Sequence, residues 1–220
     1  MSHGLGRLFA PDPRDAAHSV EPLIRAAAPF PRDWRYWNGN GWWGDQGATP
    51  QCVAYSWVHW LEDGPVQQGG AVPCIVPQIL YDEAQKVDEW PGEGYDGTSV
   101  RAGAKVLQTR GYISAYSWAT TLDEVIQSVL MLGPMSVGVN WYNDMFDPDP
   151  VTHLVKPTGG IAGGHAFQLN GVNVTRKVFR IKNSWGRSWG KNGYALISFA
   201  DFEKLLLEDG EACIATEVSK

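Results

Sequence analysis

The sequence predicts an α+β protein in which a helical half is followed by a sheet half. Apolar residues recur at helical spacing over much of 49–132, and from residue 135 onward the pattern changes to short strand-like runs. Helices and strands therefore occupy separate blocks and do not alternate, which is typical of an α+β fold. With 220 residues, the chain is long enough for one sizeable core or for two small lobes that share a cleft.

The clearest helix in the sequence begins near residue 50. Thr49 is predicted to cap it, Pro50 suits the first helical position, and Cys52 falls in the first turn. Apolar residues then recur at helical spacing as far as Leu61, and Gly64 ends the run. Because this helix is apolar on most sides, we expect it to be central.

Further helices are predicted at 77–87 and 99–110. Another begins at Thr121, where Glu124 completes a capping box, and ends before Gly133. The predicted strands are 135–140, 165–173, 177–183 and 193–199.

The beginning of the chain shows little pattern. We interpret residues 1–32 as an N-terminal extension, either a short arm or a regulatory segment, and we predict that the Gly- and aromatic-rich residues 31–48 form a loop. One domain is expected over 33–220, with a mainly helical lobe at 33–118 and a mainly β lobe at 119–220.

Composition excludes several classes of protein. Hydrophobic residues make up 44% of the chain and charged residues 19%, which is ordinary for a folded globular protein. The formal charge of −6 and the lack of a basic stripe argue against a nucleic-acid partner, and no apolar run is long enough to cross a membrane. The N-terminus lacks the order of a signal peptide, so we expect a cytoplasmic location without excluding a secreted or virion-associated form. The oligomeric state stays open.

The chain has three cysteines, Cys52, Cys74 and Cys213. This small, odd number does not make a disulfide framework, and whether Cys74 and Cys213 pair stays open. No CxxC pair and no His/Cys cluster has the spacing of a zinc site, so we expect neither a metal nor a cofactor.

Cys52 is the first candidate for chemistry. The unpaired N–H groups and the dipole at a helix N-terminus stabilise a thiolate, which is the nucleophilic form of cysteine. The alternative is a buried structural cysteine. Gln46, in the loop before the helix, is placed to donate its side-chain amide to an oxyanion near Cys52, although a simple polar loop residue would look the same.

His165 and Asn183 are the matching candidates in the sheet half. Gly163 and Gly164 precede His165 and permit close approach of a ligand or another segment, while the alternative is an ordinary strand histidine. Asn183 ends a predicted strand, where its amide would hold the imidazole under the cover of Trp185. A turn-forming asparagine is the alternative.

Three blocks of sequence carry a family resemblance. They are Gln46-Gly47 ahead of Cys52, then Gly164-His165-Ala166, and finally 183–194, which reads Asn-Ser-Trp-Gly-Arg-Ser-Trp-Gly-Lys-Asn-Gly-Tyr. Together they resemble the signature blocks of the papain (cathepsin-like) cysteine peptidase family, whose Cys-His-Asn set is a known variant of the catalytic triad. The resemblance implies a papain-like fold: a helical lobe with a central Cys-bearing helix packs against an antiparallel β-barrel-like lobe, with the active site in the cleft between them.

The resemblance also implies roles for residues. Cys52 would form an acyl-enzyme with a peptide substrate, His165 would be its acid/base partner, Asn183 would orient His165, and Gln46 would hold the oxyanion. Substrate contacts are expected in three places: the wall that pairs with the substrate backbone, the main specificity pocket and the leaving-group side. The residues expected there are Asp96, Gly97, Thr98, Gly138, Gly163, Gly164, Ala166, Trp185, Trp189 and Glu217. With small walls and Glu217 as its floor, the pocket would accept a basic side chain as well as apolar ones.

The sequence departs from the family pattern around the nucleophile. Thr49 and Val53 stand where the family usually has Cys and Trp, and Ala212 stands at the position of a bridging Cys, so the family's disulfides are expected to be absent. Three alternatives therefore stay open: a catalytically silent papain-like binding or structural protein, a transpeptidase or ligase that uses the same thioester, and a thiol-dependent amidase.

Overall fold

A computed structural model describes residues 3–39, 42–66, 72–90, 92 and 94–218, so residues 1 and 2 of the predicted extension lie outside it. The helices are α1 (Glu21–Ala26), α2 (Cys52–Asp63), α3 (Pro77–Ala84), α4 (Val100–Thr109), α5 (Leu122–Met131) and α6 (Phe199–Leu207), with 3₁₀ turns at Pro13–His18 and Asn143–Met145. The strands are β1 (Trp34–Tyr36), β2 (Ile113–Ala119), β3 (Met135–Tyr142), β4 (Ile161–Asn173), β5 (Val178–Lys182), β6 (Tyr194–Ser198) and β7 (Glu211–Glu217).

All seven strands belong to one antiparallel sheet. Its order is β2-β7-β3-β4-β5-β6, and β1 pairs with the C-terminal part of β4. The α+β class is confirmed. The expected barrel-like closure is wrong, because no pair between the outer strands β2 and β6 occurs among the described strands and the sheet stays open.

Two hydrophobic cores lie on either side of the candidate cleft. One packs α5 and α6 against the sheet through residues such as Val137, Trp141 and Phe202, which are fully buried. The other surrounds α2 with α3 and α4, and it includes Trp57 of α2 and Leu107 of α4. Cys52 and Ala166 both belong to this second core, so the start of α2 and the middle of β4 meet where the cores adjoin.

The central helix begins later than its predicted cap. Its first helical residue is Cys52, with Gln51 at the N-cap position. Thr49 instead closes a turn, in which its hydroxyl and its N–H donate to the carbonyl of Gln46 at 2.7 and 3.1 Å. Gly64 ends the helix as predicted. This start places the Cys52 sulfur at the end of the helix where the dipole is positive.

Other helix signals had their expected effect. Thr121 and Glu124 form the predicted capping box, and Ser99 caps α4 by accepting from the Ala102 N–H. The predicted helix at 77–87 ends earlier, at Ala84.

Some elements had no strong local signal. β1 lies within the predicted loop 31–48 and pairs with β4, and its Arg35 donates to the carbonyl of Leu130 in α5 at 2.8 Å. β2 crosses the predicted lobe boundary at 118/119 and pairs with β7. Among the described residues, no helix is long and apolar enough to span a membrane.

Candidate active site

Cys52 is fully buried at the start of α2. Its sulfur is hydrogen-bonded by the backbone N–H groups of Ala166 and Val53. Burial raises the pKa of Cys52 to about 12, and these N–H groups together with the positive charge of Arg7 act in the opposite direction. Ala166, the residue after His165 on β4, belongs to the same hydrophobic core as Cys52, so the start of α2 packs near this part of β4.

His165 lies on β4 and is also fully buried. Its Nε2 lies 2.8 Å from the Asn183 Oδ1, which also accepts from the Ser184 N–H. Because an amide oxygen only accepts, Nε2 carries the proton and Nδ1 is left as the acceptor. Nδ1 has no hydrogen-bond partner among the described residues. The arrangement therefore offers a basic nitrogen to the neighbouring thiol.

The imidazole lies in an aromatic environment. The ring of Trp185 stacks on it at 4.6 Å and the ring of Trp141 meets it edge-on at 4.8 Å. Burial lowers the pKa of His165 to about 3, whereas its bond to Asn183 raises it. With the cleft covered as it is here, the thiol and the imidazole are therefore both neutral.

Gln46 is oriented by its neighbours. The Ser184 hydroxyl donates to its Oε1, which turns its Nε2 toward the cleft. Nε2 donates to the carbonyl of Thr49 at 2.6 Å and to the carbonyl of Gly4 at 3.1 Å. The second contact shows that this amide can hold a peptide carbonyl oxygen at the site.

The N-terminal arm, defined here as residues 3–9, fills the cleft. The carbonyl of Gly4 also accepts from the Trp185 Nε1 at 3.1 Å, and the Gly4 N–H donates to the carbonyl of Gly47 at 2.8 Å. The ring of His3 stacks on Trp185 at 4.5 Å. The arm therefore covers the side of the cleft where Trp185 lies.

The middle of the arm pairs with both walls. The N–H groups of Gly6 and Arg7 donate to the carbonyl of Gly164 at 3.0 Å. On the other wall, the Thr98 N–H donates to Gly6 and the Thr98 carbonyl accepts from Leu8, at 2.9 and 3.0 Å. Both predicted walls therefore bind a peptide backbone, which here belongs to the arm.

Close approach requires glycine in the arm. A Cβ atom at Gly6 would lie 2.3 Å from the carbonyl oxygen of Pro50, and Gly6 has a φ of 148°. A Cβ at Gly4 would lie 2.1 Å from the carbonyl oxygen of Thr49. Larger residues at either position would force the arm away from the start of α2.

Arg7 occupies a pocket beside Gly138. Its Nε donates to the Glu211 Oε1 at 3.0 Å, and its Nη2 donates to the carbonyl of Asp209. The two charged side chains are only 2% and 9% exposed. A Cβ at Gly138 would lie 2.7 Å from the Arg7 Nε, so glycine is what makes room for the guanidinium.

Glu211 lies at the floor of the pocket that holds Arg7, whereas Glu217, the residue predicted for that place, lies elsewhere. Glu217 pairs with Ile113 at the far end of β7, and its carboxylate accepts from the Val66 N–H. Glu211 is the residue that lies opposite Gly138 in the sheet. Glu217 followed from matching the last strand to the family pattern without a gap. The register of β7 against β3 decides which residue reaches the pocket, and no local sequence signal reveals this register.

The other predicted substrate residues lie at different distances from the arm. Gly97 touches it, since a Cβ there would lie 2.3 Å from the Gly6 carbonyl oxygen, and the side chain of Leu5 lies against Gly163. Asp96 is exposed. Trp189 packs edge-on against Trp185 at 5.5 Å and, with His3, lines a cavity of about 480 Å³.

Comparisons with known sequences identify the family. A family model described as papain family cysteine protease matches residues 81–212, a range that contains His165 and Asn183 and begins after Cys52. Mouse cathepsin K is 30% identical over 192 residues, which cover 70% of this chain and 55% of the mouse protein. A cathepsin B-like cysteine proteinase of Schistosoma japonicum is 27% identical over 171 residues, or 68% of this chain and 47% of that protein. The chain spans about half the length of the curated relatives it matches.

Solved structures agree on the fold. Xylellain, a cysteine protease from Xylella fastidiosa, superposes with a TM-score of 0.74 at 18% identity, covering 100% of this chain and 98% of that one. The Carica candamarcensis cysteine protease CMS1MS2, solved with E-64, gives a TM-score of 0.60 at 16% identity, covering 87% of this chain and 100% of that one. Fold, family model and site geometry agree, and the chain belongs to the papain family of cysteine proteases.

Proposed function

We propose that this chain is a thiol-dependent peptidase that hydrolyses peptide bonds through an acyl-enzyme on Cys52. The observation that carries the proposal is the carbonyl of Gly4, a peptide carbonyl held by the Gln46 amide at 3.1 Å. We expect a substrate carbonyl held by the same amide to be attacked by the sulfur of Cys52, with His165 and Asn183 already hydrogen-bonded to each other.

The mechanism uses groups that the site holds. His165 Nδ1 takes the proton of Cys52, and the sulfur attacks the carbonyl carbon while Gln46 Nε2 and the Cys52 N–H stabilise the oxyanion. The C–N bond then breaks as the imidazolium gives its proton to the leaving amine. Water, deprotonated by the same nitrogen, attacks the thioester and releases the acid and the thiol.

We also propose that the arm keeps the peptidase latent. Its His3 end lies on the Trp189 side, where the family resemblance places the leaving group, and Arg7 lies in the pocket for the second residue before the cleaved bond. The arm therefore runs opposite to the direction of a substrate, which would let it occupy the cleft without being cut. A substrate must displace it.

The pocket supports a preference for arginine. Arg7 is a bound example of that side chain, and Glu211 meets it with a charge-assisted bond in a nearly buried place. We propose that substrates with Arg at the second position before the cleaved bond are accepted well, alongside apolar residues. Since Glu211 is the only carboxylate that contacts the Arg7 side chain among the described residues, this preference depends on it.

Mass analysis of peptide products tests the proposal. We would incubate a peptide with Arg at that position with the chain under reducing conditions, using Cys52→Ala and Cys74→Ala as negative and positive controls. We expect hydrolysis products from the chain and from Cys74→Ala, and none from Cys52→Ala. Equal cleavage by Cys52→Ala would refute the proposal. A ligated product after addition of an amine would favour the transpeptidase alternative, which shares the thioester.

A further inference from the structure

A groove of about 880 Å³ lies on the sheet lobe, outside the arm's contacts. It is formed by segment 151–154 and by residues of β5 and β6 with their flanking turns. Four cationic side chains line it, and none of its lining residues is Asp or Glu: the cations are Arg176, Arg180, Arg187 and Lys191. Such a concentration of positive charge is notable in a chain whose formal charge is −6.

These four charges are not compensated by carboxylates. None of them takes part in an ion pair within the part of the chain that the structure describes. Asp63, the carboxylate that acts electrostatically on Arg180, is already paired with the buried Lys182 at 2.9 Å. The groove therefore presents a positive field that an anionic ligand would neutralise.

Neutral groups hold two of the cations in place. Arg180 donates to the side-chain oxygens of Asn170 and Asn38 at 2.9 and 2.8 Å, and its guanidinium lies 4.4 Å from the ring centres of both Tyr36 and Tyr194. Arg187 lies 4.8 Å from the ring of Trp43. Cation–π contacts orient a guanidinium while leaving its charge available to a ligand.

The groove adjoins the leaving-group end of the cleft. His153 lines both the groove and the cavity of about 480 Å³ that also contains His3, Phe146 and Trp189. A peptide that leaves the cleft past Trp189 would reach His153 and then the groove. This continuity favours an extended peptide over a ligand unrelated to the cleft.

We propose that the groove binds acidic residues of the substrate on the C-terminal side of the cleaved bond. The proposal rests on the peptidase function proposed above and adds a substrate class to it: peptides that are basic or apolar before the cut and acidic some residues after it. Arginine forks bind carboxylates in bidentate fashion, and apolar residues such as Val178 and Leu196 would contact the stems of the acidic side chains.

Binding of an acidic peptide to the full chain tests the groove without requiring cleavage of the peptide. A fluorescein-labelled peptide rich in Glu and Asp is titrated by fluorescence anisotropy, beside the same peptide with Gln and Asn. The double variant Arg187→Ala with Lys191→Ala removes two exposed charges from the groove, whereas Arg25→Ala with Lys86→Ala removes two exposed charges elsewhere.

We expect the acidic peptide to bind more tightly than the neutral one, and the groove variant to weaken its binding about five-fold, as the loss of two exposed charge pairs predicts. The control variant should keep the original affinity. Equal affinity of both peptides, or equal weakening in both variants, would overturn the proposal.

Cleavable peptides distinguish this proposal from the peptidase function on which it rests. Two substrates share the sequence up to the cut and carry either an acidic or a neutral extension after it. Higher kcat/KM for the acidic extension, lost in the groove variant, supports the proposal. Cleavage of both at the same kcat/KM overturns the acidic preference but leaves the peptidase intact. Cleavage of neither, with acidic binding retained, overturns the peptidase function and not the anionic site.

Discussion

At the scale of single residues, the reactive pair is held uncharged by its surroundings. Burial raises the pKa of Cys52 to about 12 and lowers the pKa of His165 to about 3, and the arm contributes to covering both. Transfer of the proton from sulfur to nitrogen creates two charges, which water or a substrate's polar groups would stabilise. Formation of the nucleophilic thiolate on Cys52 is therefore expected to depend on whether the arm is in place.

The buried histidines make stability depend on pH. Burial lowers the pKa values of His165 and His59 below the ordinary histidine value of about 6.5, to about 3 for His165. Below pH 6.5 the unfolded chain binds protons that the folded chain does not, so the free energy of unfolding falls as the pH falls, by up to about 1.4 kcal/mol per pH unit for each histidine.

Urea unfolding at pH 7, 6 and 5 measures this effect. We expect a steady loss of stability on acidification, and a smaller slope in His165→Gln. If the free energy of unfolding changes with pH equally in His165→Gln and in the unchanged chain, the effect comes from other groups.

Glu211 is the residue on which pocket specificity depends. Glu211→Gln removes the charge that meets a basic side chain, a loss of about 2 kcal/mol for a charge-assisted bond. We expect the ratio of kcat/KM for Arg against Phe in the pocket to fall about thirty-fold. Because both substrates compete with the same arm, the ratio is independent of arm displacement. Glu217→Gln is the matched control, and a change there as large as in Glu211→Gln would contradict the assignment.

Sequence alone predicted the residues that we propose to react, and it did not predict Glu211 in the pocket. Cys52, His165, Asn183 and Gln46 lie in motifs whose residue types the chemistry requires, so their roles could be inferred before their positions were known. Glu211 owes its place to the register between β7 and β3, which depends on contacts distant in sequence.

At the scale of elements, local signals located those helices that have their own caps. Thr121 with Glu124 marked the start of α5 correctly because these bonds are formed within a few residues, and the helix predicted from residue 99 begins at Val100 behind its cap Ser99. β1 was predicted as loop because its strand pairing comes from β4, which is distant in sequence. The path of the arm likewise depends on both walls of the cleft, which no local pattern encodes.

A single substitution in the arm tests its role. Gly6→Leu places a side chain against the Pro50 carbonyl, at a φ of 148°, so the arm must leave the cleft. We expect the alkylation rate of Cys52 by iodoacetamide to rise at least about ten-fold, since a rise of that size corresponds to only about 1.4 kcal/mol of lost protection.

Gly94→Leu is the control for this substitution, because no heavy atom of the described residues, apart from those of its chain neighbours, lies within 4 Å of a Cβ at Gly94. The same alkylation rate in Gly6→Leu and in the unchanged chain would show that the arm does not protect the thiol.

At the scale of the whole molecule, two cores adjoin at the cleft and the arm contacts both lobes. It bonds to Thr98 beside α4 and to Glu211 on β7. The two-lobed α+β organisation followed from the order of helix and strand patterns. The open sheet did not, since closure depends on how the outer strands β2 and β6 lie relative to each other.

The central claim is that Cys52 is the activated thiol of a papain-like site. Its most direct test is intact-mass analysis and adduct mapping after incubation with an epoxysuccinyl inhibitor under reducing conditions, on the full chain, Gly6→Leu and Cys52→Ala. We predict one adduct on Cys52, formed faster in Gly6→Leu and absent in Cys52→Ala, with Cys74 and Cys213 unlabelled. No adduct in Gly6→Leu, or labelling spread over all three cysteines, would contradict the account.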